Sequence, residues 1–303
     1  MIGVRRPMPS PKEVERRTSL CSSAPSGSTT TARGDRPPPT WPGRRQSPGR
    51  RLAWWSSRRW GVDGHIRDVT ERFATAGYVA LAPDLYSTGG GRPEALGAER
   101  VEEAKAFLNS LPPDRWMAVL GDEAQRAEAL GQLPAGRGGQ VGETLGTLFG
   151  GATEVGHHLP VLQAAVSYLH THPACGGRAV GSVGFCMGGG LSAQLACNEP
   201  TLSAAVVYYG SSPPAEQVTG TRCPLRGFYG QDDPAIVAGL PAFHEALHAA
   251  GIDHELRVYP DTPHAFFNDT RPSYRPEAAR DAWARTLACF AAALGPVRSA
   301  EVA

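Results

Sequence analysis

Residues 183–189 read VGFCMGG, a cysteine with Gly184 two residues before it and Gly188 two residues after it, following an apolar run. Glycines at those two places are what a sharp strand-to-helix turn needs, because neighbouring backbone comes too close there for side chains. A residue on such a turn stands at a helix N-terminus, where the dipole and free N–H groups favour a thiolate and help hold an oxyanion. The chemistry suggested for Cys186 is nucleophilic attack on a carbonyl carbon, although serine is the usual residue in that position. The competing reading is a small cysteine packed in a glycine-rich turn.

Partners for Cys186 are sought further along the chain, in the order nucleophile, acid, histidine that this kind of turn accompanies. FYGQDDP, at 228–234, ends a strand-like segment with Asp232 and Asp233, and YPDTPHAFF, at 259–267, places His264 after another. Both fall at C-terminal strand ends, the edge at which α/β sheets bind ligands. Asp233 is favoured over Asp232 because it precedes Pro234 and the apolar run that opens the next helix; helix capping is the alternative task for either aspartate. A solvated loop histidine is the alternative for His264, weakened by Pro260 and Pro263, which stiffen the loop, and by Phe266 and Phe267, which anchor it.

The elements that must position these groups alternate between strand and helix. DGHIRDVTERFATAGY, at 63–78, has Ile66, Val69, Phe73 and Ala74 at helical spacing and Gly77 as its stop. VALAPDLY reads as a buried strand. Helix is expected at 96–110, 159–173, 189–198, 235–251 and 276–294, and strand at 179–185, 202–210, 223–230 and 254–260. Such alternation implies a mostly parallel sheet with helices on both faces. Residues 111–156 are less regular and read as a lid-like insertion.

GFCMGGG, PDLY, GQDDP and DTPHAFF, in this order and at these spacings, resemble the dienelactone hydrolase family of α/β-hydrolases, from about Trp60 to about Leu294. The resemblance implies an α/β-hydrolase fold and a Cys-His-Asp triad, carried here by Cys186, His264 and Asp233. It also implies hydrolysis of an ester or lactone through an acyl-enzyme, without metal or organic cofactor. One oxyanion donor is expected from the backbone N–H of Met187 and a second from the loop near Arg59 and Trp60. Family members that take a carboxylate-bearing lactone use basic residues after the PDLY segment and after the histidine, which makes Arg92 and Arg271 displaced candidates here; solvated surface arginines are the plainer reading. Tyr208, Tyr209 and Trp116 are candidate pocket aromatics, with core packing the more frequent fate.

The family pattern breaks upstream of residue 60. Where the family has a Val-rich strand ending in a carboxylate, of the type VVVIQEWWG, this chain reads AWWSSRRWG, and Arg58 stands where the Glu is expected. Val-Val-Val-Ile-Gln-Glu encoded as GTG GTG GTC ATC CAG GAG and read one base later gives Trp-Trp-Ser-Ser-Arg, which is the run Trp54 to Arg58. A slipped reading frame is therefore the hypothesis for residues upstream of about Trp60, with a disordered tail as the plainer reading of a Pro-, Arg- and Ser-rich stretch that lacks helical or strand periodicity. The expected organisation is an aberrant or disordered segment 1–59, an α/β-hydrolase domain 60–296 lacking its N-terminal strands, with the insertion at 111–156, and a tail 297–303.

Composition narrows the class further. The chain has 303 residues and a formal net charge of +1, which gives no bulk electrostatic case for nucleic acid or an anionic membrane. Arginine pairs at 5–6, 16–17, 44–45, 50–51 and 58–59 face only Glu13, Glu15 and Asp35, so a basic nucleic-acid arm is one reading of the first sixty residues. Cys21, Cys175, Cys186, Cys197, Cys223 and Cys289 form no CxxC pair, which favours neither a disulfide framework nor a cysteine zinc site. A cytoplasmic monomer acting on a small-molecule ester or lactone is expected, with no nucleic-acid or membrane partner. A non-catalytic relative that binds a small molecule is the second reading, motivated by the missing strand and carboxylate.

Overall fold

VGSVGF and LSAAVVY have no alternation of apolar and polar residues, the pattern of strands covered on both faces. In the computed structural model, which describes residues 18–20, 50–55, 61–87, 91–149, 155–175 and 178–295, they form adjacent central strands. β4 is Val180–Phe185, buried at every residue, and β5 is Leu202–Tyr208. The remaining strands are β1 Thr18–Leu20, β2 Arg50–Trp55, β3 Tyr78–Pro83, β6 Leu225–Gly230 and β7 His254–Tyr259. They assemble in the order β1-β3-β2-β4-β5-β6-β7, parallel throughout except for β1, which runs antiparallel to β3.

The occupied β2 slot corrects the expectation that the N-terminal strands are missing. Arg51 to Trp55 pair in parallel with Val180 to Gly184, while Arg50 to Ala53 pair with Tyr78 to Leu81. Two parallel neighbours leave a ladder of backbone donors and acceptors between them, and any non-proline segment can satisfy it whatever its side chains. Leu52, Ala53, Trp54 and Trp55 are also residue types that a central strand accepts. Residues 56–60, which carry Arg58 and most of the codon reading, lie outside the described residues.

Both sheet faces are covered. On one, α1 Gly64–Thr75 and α11 Pro276–Ala293 contribute Ile66, Val69, Phe73, Ala282 and Phe290 to a core with Val183, Phe185, Val206 and Phe228. On the other, α6 Val155–Thr171, α7 Met187–Asn198 and α10 Leu240–Ala249 bring Leu162, Leu169, Leu191, Leu195, Phe243 and Leu247 against Leu81, Val180, Ala205 and Leu225. The helix expected over 235–251 is broken into α9 Pro234–Val237 and α10, at Gly239 and Pro241. The connection between β5 and β6 holds the single-turn α8, Ala215–Val218. Among the described residues no helix is long and apolar enough to cross a membrane.

The insertion has a core of its own and is more regular than its sequence suggests. Helices α2 Ala98–Ser110, α3 Pro113–Gly121, α4 Glu123–Gly131 and α5 Arg137–Phe149 bury Val101, Phe107, Val119, Ala129, Val141, Leu145 and Leu148 together. That cluster starts at Tyr86 and Leu96, so the unit begins before residue 111. Met187 packs against it and against the main core alike.

A buried ion pair ties this unit to the sheet domain. Asp63 caps α1 by accepting from the Ile66 N–H at 3.0 Å, and its other oxygen accepts from Lys105 Nζ at 2.7 Å, with 5% of one side chain and 11% of the other exposed. Replacing Asp63 by Ala removes the cap and leaves the ammonium only its more exposed partner, Glu102, so we expect a loss of about 1–3 kcal/mol. Lys105→Met leaves the cap in place and should cost less. Urea midpoints of the two variants check this; equal, small shifts in both would count against the pair as a clamp.

Candidate active site

The turn between β4 and α7 is built as its glycines require. Cys186 sits at φ 56, ψ −122, a backbone region that a residue with a side chain rarely adopts and that typically costs on the order of 1–3 kcal/mol. A Cβ on Gly184 would collide with the Gly188 carbonyl, and one on Gly189 would come 2.7 Å from the Tyr208 oxygen. The Cys186 N–H donates to the Tyr208 carbonyl at 3.0 Å, and its own carbonyl accepts from the N–H groups of Gly189 and Gly190 at 2.9 and 3.2 Å. The thiol is thus held at the first turn of α7, beside N–H groups that have no intrahelical acceptor.

Asp233 and His264 meet beside it. His264 Nδ1 donates to Asp233 Oδ2 at 2.5 Å, which leaves Nε2 for the hydrogen bond to Cys186. Asp233 stands at the N-cap of α9, and its side chain makes no capping hydrogen bond, so the carboxylate serves the histidine. Asp232, the other candidate, is exposed, and its N–H donates to the Thr262 carbonyl. The structure therefore separates two aspartates that their sequence neighbourhood left close in rank.

Charge in the cluster follows from these contacts. Burial alone would lower the pKa of His264, but the negative charge of Cys186, the hydrogen bonds to Asp233 and Cys186, and the Asp233 charge outweigh it and raise it to about 10. The raised value depends on the sulfur beside it, so His264 and Cys186 titrate as a coupled pair. Elsewhere burial pushes Cys223 up to about 12 and raises Cys197 and Cys289, which keeps those sulfurs as thiols. With 38% of its side chain exposed, His264 remains open to a substrate.

The other singled-out residues fall in different places. Met187 supplies the first N–H of α7, next to the sulfur. Trp60 lies outside the described residues; Gly61, which follows it, is buried beneath the Arg92 guanidinium. Arg92 is ion-paired with Asp84 of the PDLY segment, which also accepts from Ser87 Oγ at 2.8 Å. It braces the loop, where a solvated surface arginine was the plainer expectation and a carboxylate receptor the displaced one. Arg271 stacks over Trp116 at 5.7 Å, joining α3 of the insertion to the segment after His264. Tyr209 does not line a pocket: it is fully buried, with its ring 5.0 Å from that of His264, because β5 ends directly beneath the histidine loop. Tyr208 is equally buried, its hydroxyl 2.7 Å from Thr286 Oγ1.

Two contributors escaped sequence reasoning. Ala265 adopts φ 64 immediately after His264, a left-handed kink at a residue type that gives no hint of it. Lys105 reaches Asp63 across 42 positions, a pairing that short-range patterns do not contain.

The chain matches the dienelactone hydrolase family over residues 57–294. A protein of Saccharolobus solfataricus named "Putative carboxymethylenebutenolidase" is 35% identical over 227 residues, 75% of this chain and 83% of that one. One of the same name in Synechocystis is 30% identical, covering 76% of this chain and 81% of the other. Among solved structures, a "Putative Dienelactone Hydrolase" from Klebsiella pneumoniae superposes with a TM-score of 0.57 at 27% identity, over 82% of this chain and 90% of its own. With its parallel sheet, its cysteine at the strained turn after β4 and this match, the chain belongs to the dienelactone hydrolase family and is an α/β-fold hydrolase.

Proposed function

We propose that the chain hydrolyses carboxylic esters or lactones through a thioester on Cys186. The observation that carries this reading is the continuous line from Asp233 through His264 to a cysteine on a strained turn. The thiolate attacks the carbonyl carbon, and the developing oxyanion takes the Met187 N–H, with a second donor expected from the loop before Gly61. As the tetrahedral species collapses, the C–O bond breaks and His264 passes its Nε2 proton to the leaving alkoxide. Acylation removes the sulfur's charge, which is the largest effect holding His264 protonated. The neutral imidazole is then ready to take a proton from water, whose oxygen attacks the thioester and releases the acid. Cys186 leaves as thiolate, and the ion pair is restored.

A broad range of esters and lactones fits better than one anionic lactone, because Arg92 and Arg271 are engaged by Asp84 and Trp116. The substrate is a small molecule, and the reading needs no metal or cofactor, nucleic acid or membrane. A monomer working in the cytoplasm is part of the proposal.

Cys186→Ala should lower kcat/KM for p-nitrophenyl acetate by about 10⁴-fold or more, and Asp233→Asn by about 10²–10⁴-fold. Mass spectrometry of the quenched parent should find one acyl group on Cys186; turnover by Cys186→Ala within tenfold of the parent would sink the assignment.

The pH profile has a defined sign. His264 is protonated below about 10 in the folded chain, against an ordinary value of roughly 6.5. Hydrolysis of an alkyl ester or simple lactone, whose alkoxide needs the proton, should fall as pH rises through about 10. Acylation by a p-nitrophenyl ester, whose leaving group needs none, should show no such limb. Identical alkaline limbs for both substrates would refute His264 as the acid.

A further inference from the structure

Residues 244–254 read HEALHAAGIDH, and the fold gathers the three histidines of that stretch on the surface of the sheet domain, with none of the catalytic candidates among them. His244 and His248 stand one turn apart on α10, both exposed, with rings 6.2 Å apart and nearly parallel. α10 stops at Ala249, and the chain reverses through Gly251 at φ 67, a conformation that favours glycine. That reversal returns His254, the first residue of β7, to the helix. His254 Nε2 lies 2.9 Å from His244 Nδ1, and the two rings meet edge to face at 4.9 Å.

The hydrogen bonds set the tautomer. His254 Nδ1 is 2.7 Å from the Ile252 carbonyl, which can only accept, so Nδ1 donates there and Nε2 faces His244 Nδ1, the two sharing a proton that a bound metal would displace. A ring nitrogen that donates to a backbone carbonyl while its partner points outward is the usual state of a metal-bound histidine. The spacing H-x-x-x-H-x-x-G-x-x-H is one with which zinc enzymes bring three imidazoles to one ion by this same helix, glycine turn and return. Nitrogens at ~2.0–2.1 Å from a tetrahedral zinc lie ~3.3 Å apart, a few tenths of an ångström beyond the present separation of His244 and His254. The three ligand atoms do not all lie within 4.8 Å of one another as they stand, and His248, one turn along the same helix face, would have to rotate its side chain to complete the set.

A different grouping, His65 with Asp68 and Asp269, brings carboxylates together but is already spanned by Arg72, whose guanidinium is 2.5 Å from each aspartate. We infer that His244, His248 and His254 form a binding site for a divalent transition metal, zinc in the first instance, that fastens α10 to the edge strand β7. The site is independent of ester hydrolysis.

The test uses the full chain without a histidine tag, stripped with chelator and titrated with zinc sulfate against a chromophoric competitor. One zinc per chain is expected, with affinity reduced about 10–100-fold or more by His244→Gln, His248→Gln or His254→Gln. Cys186→Ala should leave it unchanged, and cobalt substituted for zinc should give tetrahedral d–d bands without a thiolate charge-transfer band. His244 and His248 are exposed, so their variants carry the comparison if His254→Gln fails to fold. No saturable binding, binding that survives loss of both His244 and His254, or binding lost with Cys186 would overturn the site.

Discussion

The structure depends most on the close approach at the β4–α7 turn. Cys186 is held in an unfavourable backbone conformation because Gly184, Gly188 and Gly189 let the chain fold back on itself and against the end of β5. The hydrogen bond from the Cys186 N–H to the Tyr208 carbonyl fixes that geometry across the two central strands. Strain of a few kcal/mol is sustainable only where the surroundings over-determine it, and here they are β4, buried at every residue, and β5, buried at all but one. The partly buried sulfur at a helix start follows from this constraint.

Around the turn, the sheet edge does the gathering. Parallel strands end on the same side, so the loops after β4, β6 and β7 deliver Cys186, Asp233 and His264 to one place although they are far apart in sequence. Their mutual charge then makes the cluster more than three neighbours. The Cys186 and Asp233 charges and their hydrogen bonds raise the His264 pKa against the burial that would lower it, so the three groups titrate together.

The insertion is coupled to this centre mechanically. Met187, next to the nucleophile, packs into both the main core and the insertion's own core, and Arg271, seven residues beyond His264, stacks on Trp116 of α3. The Asp63–Lys105 pair adds a charged tie near the start of α1.

Much of this was legible in the chain itself. The elbow glycines, the order Cys186, Asp233, His264 and the alternation of strand and helix are local patterns, each with a short-range physical cause, and the sequence determined them. The three histidines at 244, 248 and 254 were equally visible as letters, but their meeting depends on the reversal at Gly251, which no reading centred on cysteines would find. The contact of Asp233 with His264, the burial of Tyr209 behind His264, the pairing of Arg92 with Asp84 and the filling of the β2 slot by RRLAWW were decided only by tertiary structure. The reason is common to all four. Each depends on which backbone or charge lies across a gap from residues distant in the chain, and side-chain type sets what a residue can do there, not what it will meet.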